Sequence, residues 1–200
     1  MAQKTQTLTI TDLSRGGAGV GKLADGRTVF VPLTAPGDEV QVIITRQEKT
    51  YAWGEAQEFT KKSAERATPP CPVFGICGGC QWQHLPYEAQ WKAKSQGVRY
   101  ALERASVTAQ APWDKLPAAQ PYGYRNRVQL RASIKGLGYY REGSREIVPI
   151  DHCPIARDEI NARVPALQEE SRARLARGEG QKGELKVEVE TVAGGKTREA

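Results

Sequence analysis

No stretch of this 200-residue sequence approaches the roughly 20 consecutive apolar residues that a membrane-spanning helix requires. The first ten residues, MAQKTQTLTI, also lack the apolar core of a secretory signal peptide. We therefore expect a cytoplasmic protein with no membrane partner. In a reducing compartment of this kind, clustered cysteines bind metal more often than they form disulfides.

Cysteine is scarce too, and its distribution is uneven. The chain has four cysteines, of which three lie within ten residues in a C-x5-C-x2-C run, and the fourth follows 73 positions later. The four are Cys71, Cys77, Cys80 and Cys153. Thiolates select zinc and iron–sulfur clusters, and three bunched ligands with one remote ligand are typical of iron–sulfur proteins. Spacing alone favours an iron–sulfur cluster but leaves zinc and unliganded thiols open.

Two histidines, His84 and His152, lie close in sequence to these cysteines and are alternative ligands. Four thiols already complete a tetrahedral set. We therefore interpret both histidines as structural, and we note that no fifth thiol is left for other chemistry.

Positive charge is concentrated in the middle of the chain. Of the formal net charge of +6, residues 69–166 supply +5, with thirteen Lys and Arg against eight Asp and Glu. A basic segment suits a polyanion such as nucleic acid. A solvated basic surface without a ligand explains the count equally well, so charge alone leaves both interpretations open.

The first sixty residues alternate short β-prone runs with glycine and proline turns. The runs lie at 6–10, 28–32, 40–45 and 51–59, and the turns at 16–21, 24–26 and 35–37. Short strands at this spacing predict a small closed barrel of the OB type, which has five strands, over residues 1–60. Many such barrels bind nucleic acid, although a fold alone does not assign a function.

A polar stretch at 61–70 ends in two prolines and is predicted to be a linker. After the cysteine run, residues 86–105 are predicted to form a helix, with Pro86 in its first turn. Apolar residues recur along it at spacings of four, seven and four, which predicts one packed stripe. The stripe consists of Tyr87, Trp91, Val98 and Leu102.

Residues 122–131 alternate in polarity as an amphipathic strand does. One face carries Arg125, Arg127, Gln129 and Arg131, and the other carries Tyr124, Val128 and Leu130. Two strands around a turn at 142–144, helical structure over 155–177 and a last strand at 184–192 are predicted to follow. No later segment offers that last strand a partner.

These elements predict a mainly β protein with helices, of the α+β class, in which an OB-like barrel precedes a partial α+β central domain.

Several segments of the sequence resemble a known family. They are GGAGVGKLADGRTVFVPLTAPGDEV, CPVFGICGGCQWQHLPYEAQWKAK, PYGYRNRVQL and GYYREGSREIVPIDHCPIA. From about Thr7 to Ala166, the chain resembles the N-terminal part of the RNA (uracil-5-)-methyltransferases, which make 5-methyluridine in ribosomal or transfer RNA. The first segment looks like their opening TRAM domain, an OB-like RNA-binding barrel. The cysteine run together with QHLPYEAQ is the specific part of the resemblance.

The resemblance implies a [4Fe–4S] cluster held by Cys71, Cys77, Cys80 and Cys153, and RNA, either rRNA or tRNA, as the partner. Since methyl transfer needs no redox step, the cluster is expected to be structural or to orient RNA. The implied organisation is a TRAM barrel at 1–60, a linker at 61–70 and an iron–sulfur central domain at 71–200 that includes the helix at 86–105.

The sequence departs from this family in its catalytic part. There, a C-terminal Rossmann-like domain binds S-adenosylmethionine and supplies a cysteine that attacks C6 of uracil and a carboxylate that removes the C5 proton. Residues 155–200 contain no glycine-rich nucleotide turn after a strand. We therefore predict no catalytic and no cofactor-binding residues and a chain that is inactive alone, with S-adenosylmethionine used only by a full-length member.

Two functions remain in contention. The first is a catalytically incomplete N-terminal part of an RNA uracil-5-methyltransferase, an interpretation that a lone last strand favours. The alternative is a standalone TRAM and iron–sulfur protein that binds RNA without modifying it. An electron-transfer protein is less favoured, because no site for a redox partner is evident.

Basic residues on the predicted strands are the candidates for RNA contact, because guanidinium groups match phosphate. The candidates are Arg125, Arg127, Arg131, Arg15, Lys22 and Arg27. Arginine that alternates along a strand is as typical of an ordinary solvent face. Separately, the stripe on the helix at 86–105 lacks part of its partner when the catalytic domain is absent, which predicts self-association through that helix.

Overall fold

The computed structural model describes residues 5–107, 116–192 and 194–199. The chain divides into two compact units, one of residues 1–69 and 81–117 and the other of residues 70–80 and 118–200. This grouping differs from the predicted ranges, because the helix expected in the second domain lies in the first unit. The predicted class is confirmed: the chain is mainly β with a few helices.

Six strands form the sheet of the first unit. They are β1 (Thr5–Thr9), β2 (Asp12–Leu13), β3 (Gly19–Lys22), β4 (Thr28–Val31), β5 (Glu39–Gln47) and β6 (Tyr51–Lys61). Their order is β1-β5-β6-β4-β3-β2, and β4 runs parallel to β6. Register shifts between β5 and β6 mark bulges, which bend a sheet, and the sheet curls like a half-barrel. The sequence pattern indicated neither the two-residue β2 nor β3, which lies largely within the turn predicted at 16–21.

Alternation along the strands fills the core of the first unit. In β4, Val29 and Val31 are fully buried whereas Phe30 points to the other face. Residues in or directly after the other strands complete the core, namely Leu8, Ile10, Leu23, Val40, Val42 and Ala52.

The helix α1 (Tyr87–Arg104) begins directly after Pro86, one residue later than predicted. The turn before it is buried, and the imidazole Nε2 of His84 lies 3.1 Å from the carbonyl oxygen of Thr34. No residue within α1 itself is buried. The predicted stripe therefore packs only in part, and Val98 is 47% exposed.

The second unit is built on a five-stranded antiparallel sheet with the order β11-β10-β7-β8-β9. The strands are β7 (Arg127–Ser133), β8 (Gly136–Tyr140), β9 (Ile147–Pro149), β10 (Leu185–Thr191) and β11 (Thr197–Glu199). Two helices, α2 (Asp158–Asn161) and α3 (Val164–Ala176), connect β9 to β10. Residues of α3 contact β7 and β8, so the helix covers one face of the sheet, over a core that includes Val128, Leu130 and Leu167.

The expectation that the last predicted strand has no partner is wrong. Strand β10 pairs with β7 over Leu185–Glu190 and with β11 on its other side. Strand β7 lies upstream in the sequence, and β11 is only three residues long. Neither pairing is therefore evident from the sequence pattern.

Among the described helices, none combines the length and the apolar character needed to cross a membrane.

Candidate functional site

All four cysteines lie in the second unit. Three come from residues 70–80, and Cys153 comes from the loop between β9 and α2. Each thiol is partly buried, and within the described residues no disulfide joins them.

The cysteine run folds as tight turns that are hydrogen-bonded to the end of β8. The amide of Cys77 donates to the carbonyl of Val73 at 2.9 Å, and the amide of Gly78 donates to the carbonyl of Tyr140 at 3.0 Å. A Cβ on Gly78 would lie 3.1 Å from the Cα of Glu142, a tight contact that only a small backbone shift would relieve. Glycine therefore fits best where the run meets the sheet.

A single asparagine holds the loop of the fourth cysteine. Asn161 accepts the amide of Cys153 at 2.8 Å, and its own amide donates to the carbonyls of Cys153 at 3.1 Å and of Ala156 at 3.2 Å. These three bonds fix the loop against the start of the helical segment, so Cys153 is positioned from outside its own loop.

The thiols are close enough to influence one another electrostatically. Burial raises the pKa of the Cys77 thiol, the amide of Gly79 at 3.4 Å from its Sγ acts in the opposite direction, and the charges of Cys80, Cys71 and Cys153 raise it further. The charge of the remote Cys153 thus acts on a thiol of the cysteine run.

Aromatic hydroxyls adjoin the same thiols. Burial raises the pKa of Tyr139, and the neighbouring Cys153 thiolate adds to the effect. Burial also raises the pKa of Tyr122, together with the charges of Cys80 and Cys71. Negative charge on the sulfurs therefore contributes to the raised pKa of both hydroxyls.

Within the part of the chain that the structure describes, no three His, Cys, Asp or Glu side chains form a group that could hold a single metal ion. An iron–sulfur cubane binds its cysteines at separate iron atoms, so it does not need the thiolates to meet at one point. The partly buried thiols, the Gly79 amide directed at Cys77 and the buried Tyr139 hydroxyl are features that fit such a group.

The candidate arginines of the second unit differ in their surroundings. Arg127 is exposed and forms an ion pair with Glu188 of β10, which lowers the pKa of Glu188. The guanidinium of Arg131 lies 5.5 Å from the ring centre of Tyr140. Arg125 is exposed, and its amide donates to the carbonyl of Ile155 at 2.8 Å.

The predicted alternation of residues 122–131 is confirmed for Arg127 to Leu130. It fails at Tyr124, which is 57% exposed because the strand begins only at Arg127.

The candidate cations of the first unit lie in different places. Lys22 donates from Nζ to the hydroxyl of Thr28 at 3.0 Å. Arg27 forms an ion pair with Asp25 at 2.7 Å on the same hairpin. Arg15 is exposed and lines a groove beside α1, together with Tyr100 and Arg104, which sequence reasoning did not single out. Their spacing of four residues along the helix is the signal that could have indicated them.

Comparison with known proteins places this geometry in context. Residues 1–56 match the TRAM domain. An uncharacterized RNA methyltransferase of Gloeobacter violaceus is 36% identical over 172 residues, which are 83% of this chain and 38% of that protein. One of Synechocystis is 41% identical over 162 residues, which are 77% of this chain and 34% of that protein. This chain belongs to the RNA methyltransferase family. The family expected from the cysteine run is thereby confirmed.

The chain spans little more than a third of the length of these RNA methyltransferases. In fold it is similar to the crystal structure of Pyrococcus abyssi tRNA (uracil-54, C5)-methyltransferase in complex with S-adenosyl-L-homocysteine, with a TM-score of 0.66 and 22% identity. That likeness covers 98% of this chain and 45% of the P. abyssi chain. At this identity the likeness shows a shared fold alone.

Proposed function

We propose that this chain is the RNA-binding, iron–sulfur-containing N-terminal part of an S-adenosylmethionine-dependent RNA uracil-5-methyltransferase of the cytoplasm. The observation that supports the proposal is that all four cysteines lie in one unit, with the charge of Cys153 acting on Cys77, in a chain from the RNA methyltransferase family. A neighbour of similar fold acts, by its name, on the C5 atom of a uracil in tRNA. The RNA partner is accordingly rRNA or tRNA.

Four residues would hold a [4Fe–4S] cluster in this proposal, and they are Cys71, Cys77, Cys80 and Cys153. When bound, the cluster would link the cysteine run covalently to the loop of Cys153, and it would not take part in a redox step. The cysteine run is already hydrogen-bonded to β8, and Cys153 is fastened to α2 through Asn161. Joining them links the two loops at that end of the sheet.

The methyl-transfer chemistry is assigned elsewhere. Addition to C6 of uracil needs a nucleophile, and removal of the C5 proton needs a base. The four cysteines of this chain are all assigned to the cluster. We therefore assign S-adenosylmethionine binding and catalysis to the part of the family's length that this chain does not span, and we propose that this chain does not methylate RNA by itself.

RNA contact in the second unit is assigned first to Arg125 and Arg131. The guanidinium of Arg127 already has a carboxylate partner in Glu188, so phosphate must compete for it. Arg125 is exposed and has no ion pair within the described residues, and Arg131 stacks on Tyr140, an arrangement that leaves guanidinium edges available for phosphate.

The alternative function is a standalone TRAM and iron–sulfur protein that binds RNA without modifying it. One observation favours it: each unit has a hydrophobic core of its own, and β10 is paired on both sides. An unpaired last strand was the feature that favoured an incomplete chain over a standalone protein. Because β10 is paired, that feature no longer distinguishes the two functions.

The test uses the whole chain, purified without oxygen and assayed for iron, sulfide and RNA binding across a salt series. We expect iron and sulfide in equal amounts, and an affinity for rRNA or tRNA fragments that falls linearly on a log–log salt plot. Replacing Arg125 by Ala should reduce that slope by about one, and replacing the paired Arg127 should reduce it less.

A labelled methyl group from S-adenosylmethionine should not appear in RNA when this chain is the only protein present. Its appearance would refute the assignment of catalysis to another part of the family's length. A chain that binds no RNA at any salt concentration would remove both the main proposal and the alternative.

A further inference from the structure

A groove of about 950 Å³ runs between the sheet of the first unit and α1. Its lining includes Phe30 and Trp53 from the sheet, Arg15 from the loop after β2, and Tyr100 and Arg104 from the helix. The volume lies at the upper end of the roughly 300–1,000 Å³ that small-molecule sites occupy. The groove therefore has room for more than a single small group.

Aromatic rings line the groove, and they lie outside the hydrophobic core of the first unit. Phe30 lies between the fully buried Val29 and Val31 and points away from the core. Its ring centre is 5.1 Å from that of Trp53, in a tilted arrangement. Across the groove, Tyr100 is 59% exposed. These rings present apolar faces on which a further planar group can stack.

The groove also carries a surplus of positive charge. Arg15 and Arg104 are exposed, and neither has an ion pair within the described part of the chain. The guanidinium of Arg104 lies 5.9 Å from the ring centre of Tyr100. The carboxylate that lines the groove, Asp12, already accepts the amide of Leu13 at 2.7 Å.

A glycine in the middle of α1 explains how Arg15 reaches its position. Glycine weakens a helix interior, yet a Cβ on Gly97 would lie 3.0 Å from Cγ and 3.4 Å from Cδ of Arg15. The missing side chain leaves space for the arginine stem, so Arg15 packs against the helix along the groove.

We propose that this groove binds a single-stranded segment of RNA, with unpaired bases stacked on Tyr100 and on the Phe30–Trp53 pair and phosphates held by Arg15 and Arg104. Base faces and phosphates are the two features that this lining complements. In a duplex the bases are already stacked on one another, so the groove selects single strands. This inference rests on the proposed RNA-binding function and names where and how the first unit binds.

Charge favours RNA over a second copy of this chain as the occupant. A two-fold contact through this face would bring the same patch of both copies together. Arg15 and Arg104 would then face their own copies, and like charges that meet at an interface oppose association.

The experiment measures binding of the whole chain to a fluorescent uridine-rich single strand of about ten nucleotides, within the site sizes of such barrels, and to a duplex of the same length. Tyr100→Leu keeps an apolar side chain but removes the aromatic face, and Tyr100→Phe keeps that face. We expect Tyr100→Leu to weaken single-strand binding about five-fold or more, and Tyr100→Phe to bind like the wild type.

Charge is tested by a matched pair on the same helix. Arg104→Ala removes a cation that lines the groove, whereas Lys92→Ala removes an exposed cation of α1 that does not. We expect Arg104→Ala, but not Lys92→Ala, to lower the salt slope by about one. Single-strand binding should also quench tryptophan emission, and Trp53→Phe should remove most of that quenching.

The possible results separate this inference from the proposal on which it rests. Wild-type binding that Tyr100→Leu and Arg104→Ala leave unchanged overturns the groove but not RNA binding, and so does equal affinity for the duplex. A wild-type chain without RNA affinity overturns both. Self-association in light scattering that Tyr100→Leu abolishes, while RNA affinity is unchanged, assigns the groove to a second copy and also overturns the inference.

Discussion

The hydroxyl of Tyr139 is buried beside the thiol of Cys153. Burial and the charge of that thiol both keep the Tyr139 hydroxyl protonated by raising its pKa. Its oxygen has no hydrogen-bond partner of good geometry among the described residues. A protonated hydroxyl in this position can donate to a sulfur ligand, and hydrogen bonds to sulfur are among the factors that set the reduction potential of an iron–sulfur cluster.

With the proposed cluster bound, replacing Tyr139 by Phe should therefore lower its reduction potential and leave its iron content unchanged. A lost hydrogen bond to the more negative, reduced form corresponds to roughly 20–65 mV, if the bond contributes about 0.5–1.5 kcal/mol. A dye-linked redox titration measures the shift. Tyr140→Phe is the control, because the Tyr140 hydroxyl donates to Glu184 at 2.7 Å instead. Equal potentials for the wild type and Tyr139→Phe would contradict the assignment.

The same tyrosine gives an opposite expectation for the chain without iron. A buried hydroxyl that lacks a partner destabilises the fold, so its removal should be neutral or slightly stabilising. Urea unfolding of the iron-free Tyr139→Phe variant measures this. A marked loss of stability would show that the hydroxyl is hydrogen-bonded in the iron-free protein.

Asn161 is expected to control how long the proposed cluster is retained, although it is not a ligand. Its three hydrogen bonds hold the loop of Cys153, so Asn161→Ala should speed the loss of iron to a chelator. Cys153→Ser should bind little iron from the start, since it removes a thiolate. Gln129→Ala is the control, because that amide donates to the carboxylate of Glu188 at 3.4 Å and not to the loop of Cys153. Identical rates for both amide variants would exclude a positioning role.

The elements that the sequence predicts well are those whose own residues alternate or repeat. The valines of β4 and the Arg127 to Leu130 run of β7 show their buried faces directly in the sequence. Strands β2 and β11, of two and three residues, are too short to show a period. The predicted helix is correct to within one residue at each end, but its unit is decided by contacts that sequence order does not reveal.

The same distinction applies to the site: features formed by residues adjacent in the sequence are predictable, and contacts between distant residues are not. Three cysteines are adjacent in the sequence, so the run is evident, whereas Asn161 enters only because the folded loop brings it to Cys153. The partner of Arg127 is 61 positions away and becomes visible only through the pairing of β7 with β10. The groove likewise combines Phe30, Trp53 and Tyr100 from distant parts of the chain.

The buried ion pair of the first unit should contribute more to stability than an exposed one. Asp38 is fully buried, accepts the amides of Ala35 at 2.6 Å and Ser63 at 2.8 Å, and pairs with Arg66 at 2.5 Å. Arg66→Met leaves that carboxylate buried without its counter-charge. The free energy of unfolding should fall by about 2–3 kcal/mol, less than for a fully buried pair because Arg66 is partly exposed.

The control for this prediction is Arg27→Met, which breaks the exposed pair with Asp25. Exposed pairs contribute little to stability, so this variant should unfold close to the wild type in urea. Equal losses in the two variants would mean that burial does not determine the strength of these pairs.

His84 should make the stability of the first unit depend on pH. Burial lowers the pKa of this imidazole below its ordinary value of about 6.5, against the opposing effect of its hydrogen bond to Thr34. As the pH falls through about 6.5, the unfolded chain takes up a proton at this site that the folded chain still excludes. Stability is therefore fully present above that pH and decreases below it, at no more than about 1.4 kcal/mol per pH unit for one proton.

The chain has two histidines, and the second supplies the control. His84→Gln removes the titrating group, so urea midpoints measured between about pH 5 and 8 should become flatter on the acid side. His152 is exposed, and His152→Gln should keep the wild-type profile. If His152→Gln flattens the profile and His84→Gln does not, the acid sensitivity arises in the second unit, and the buried imidazole of the first unit is not its source.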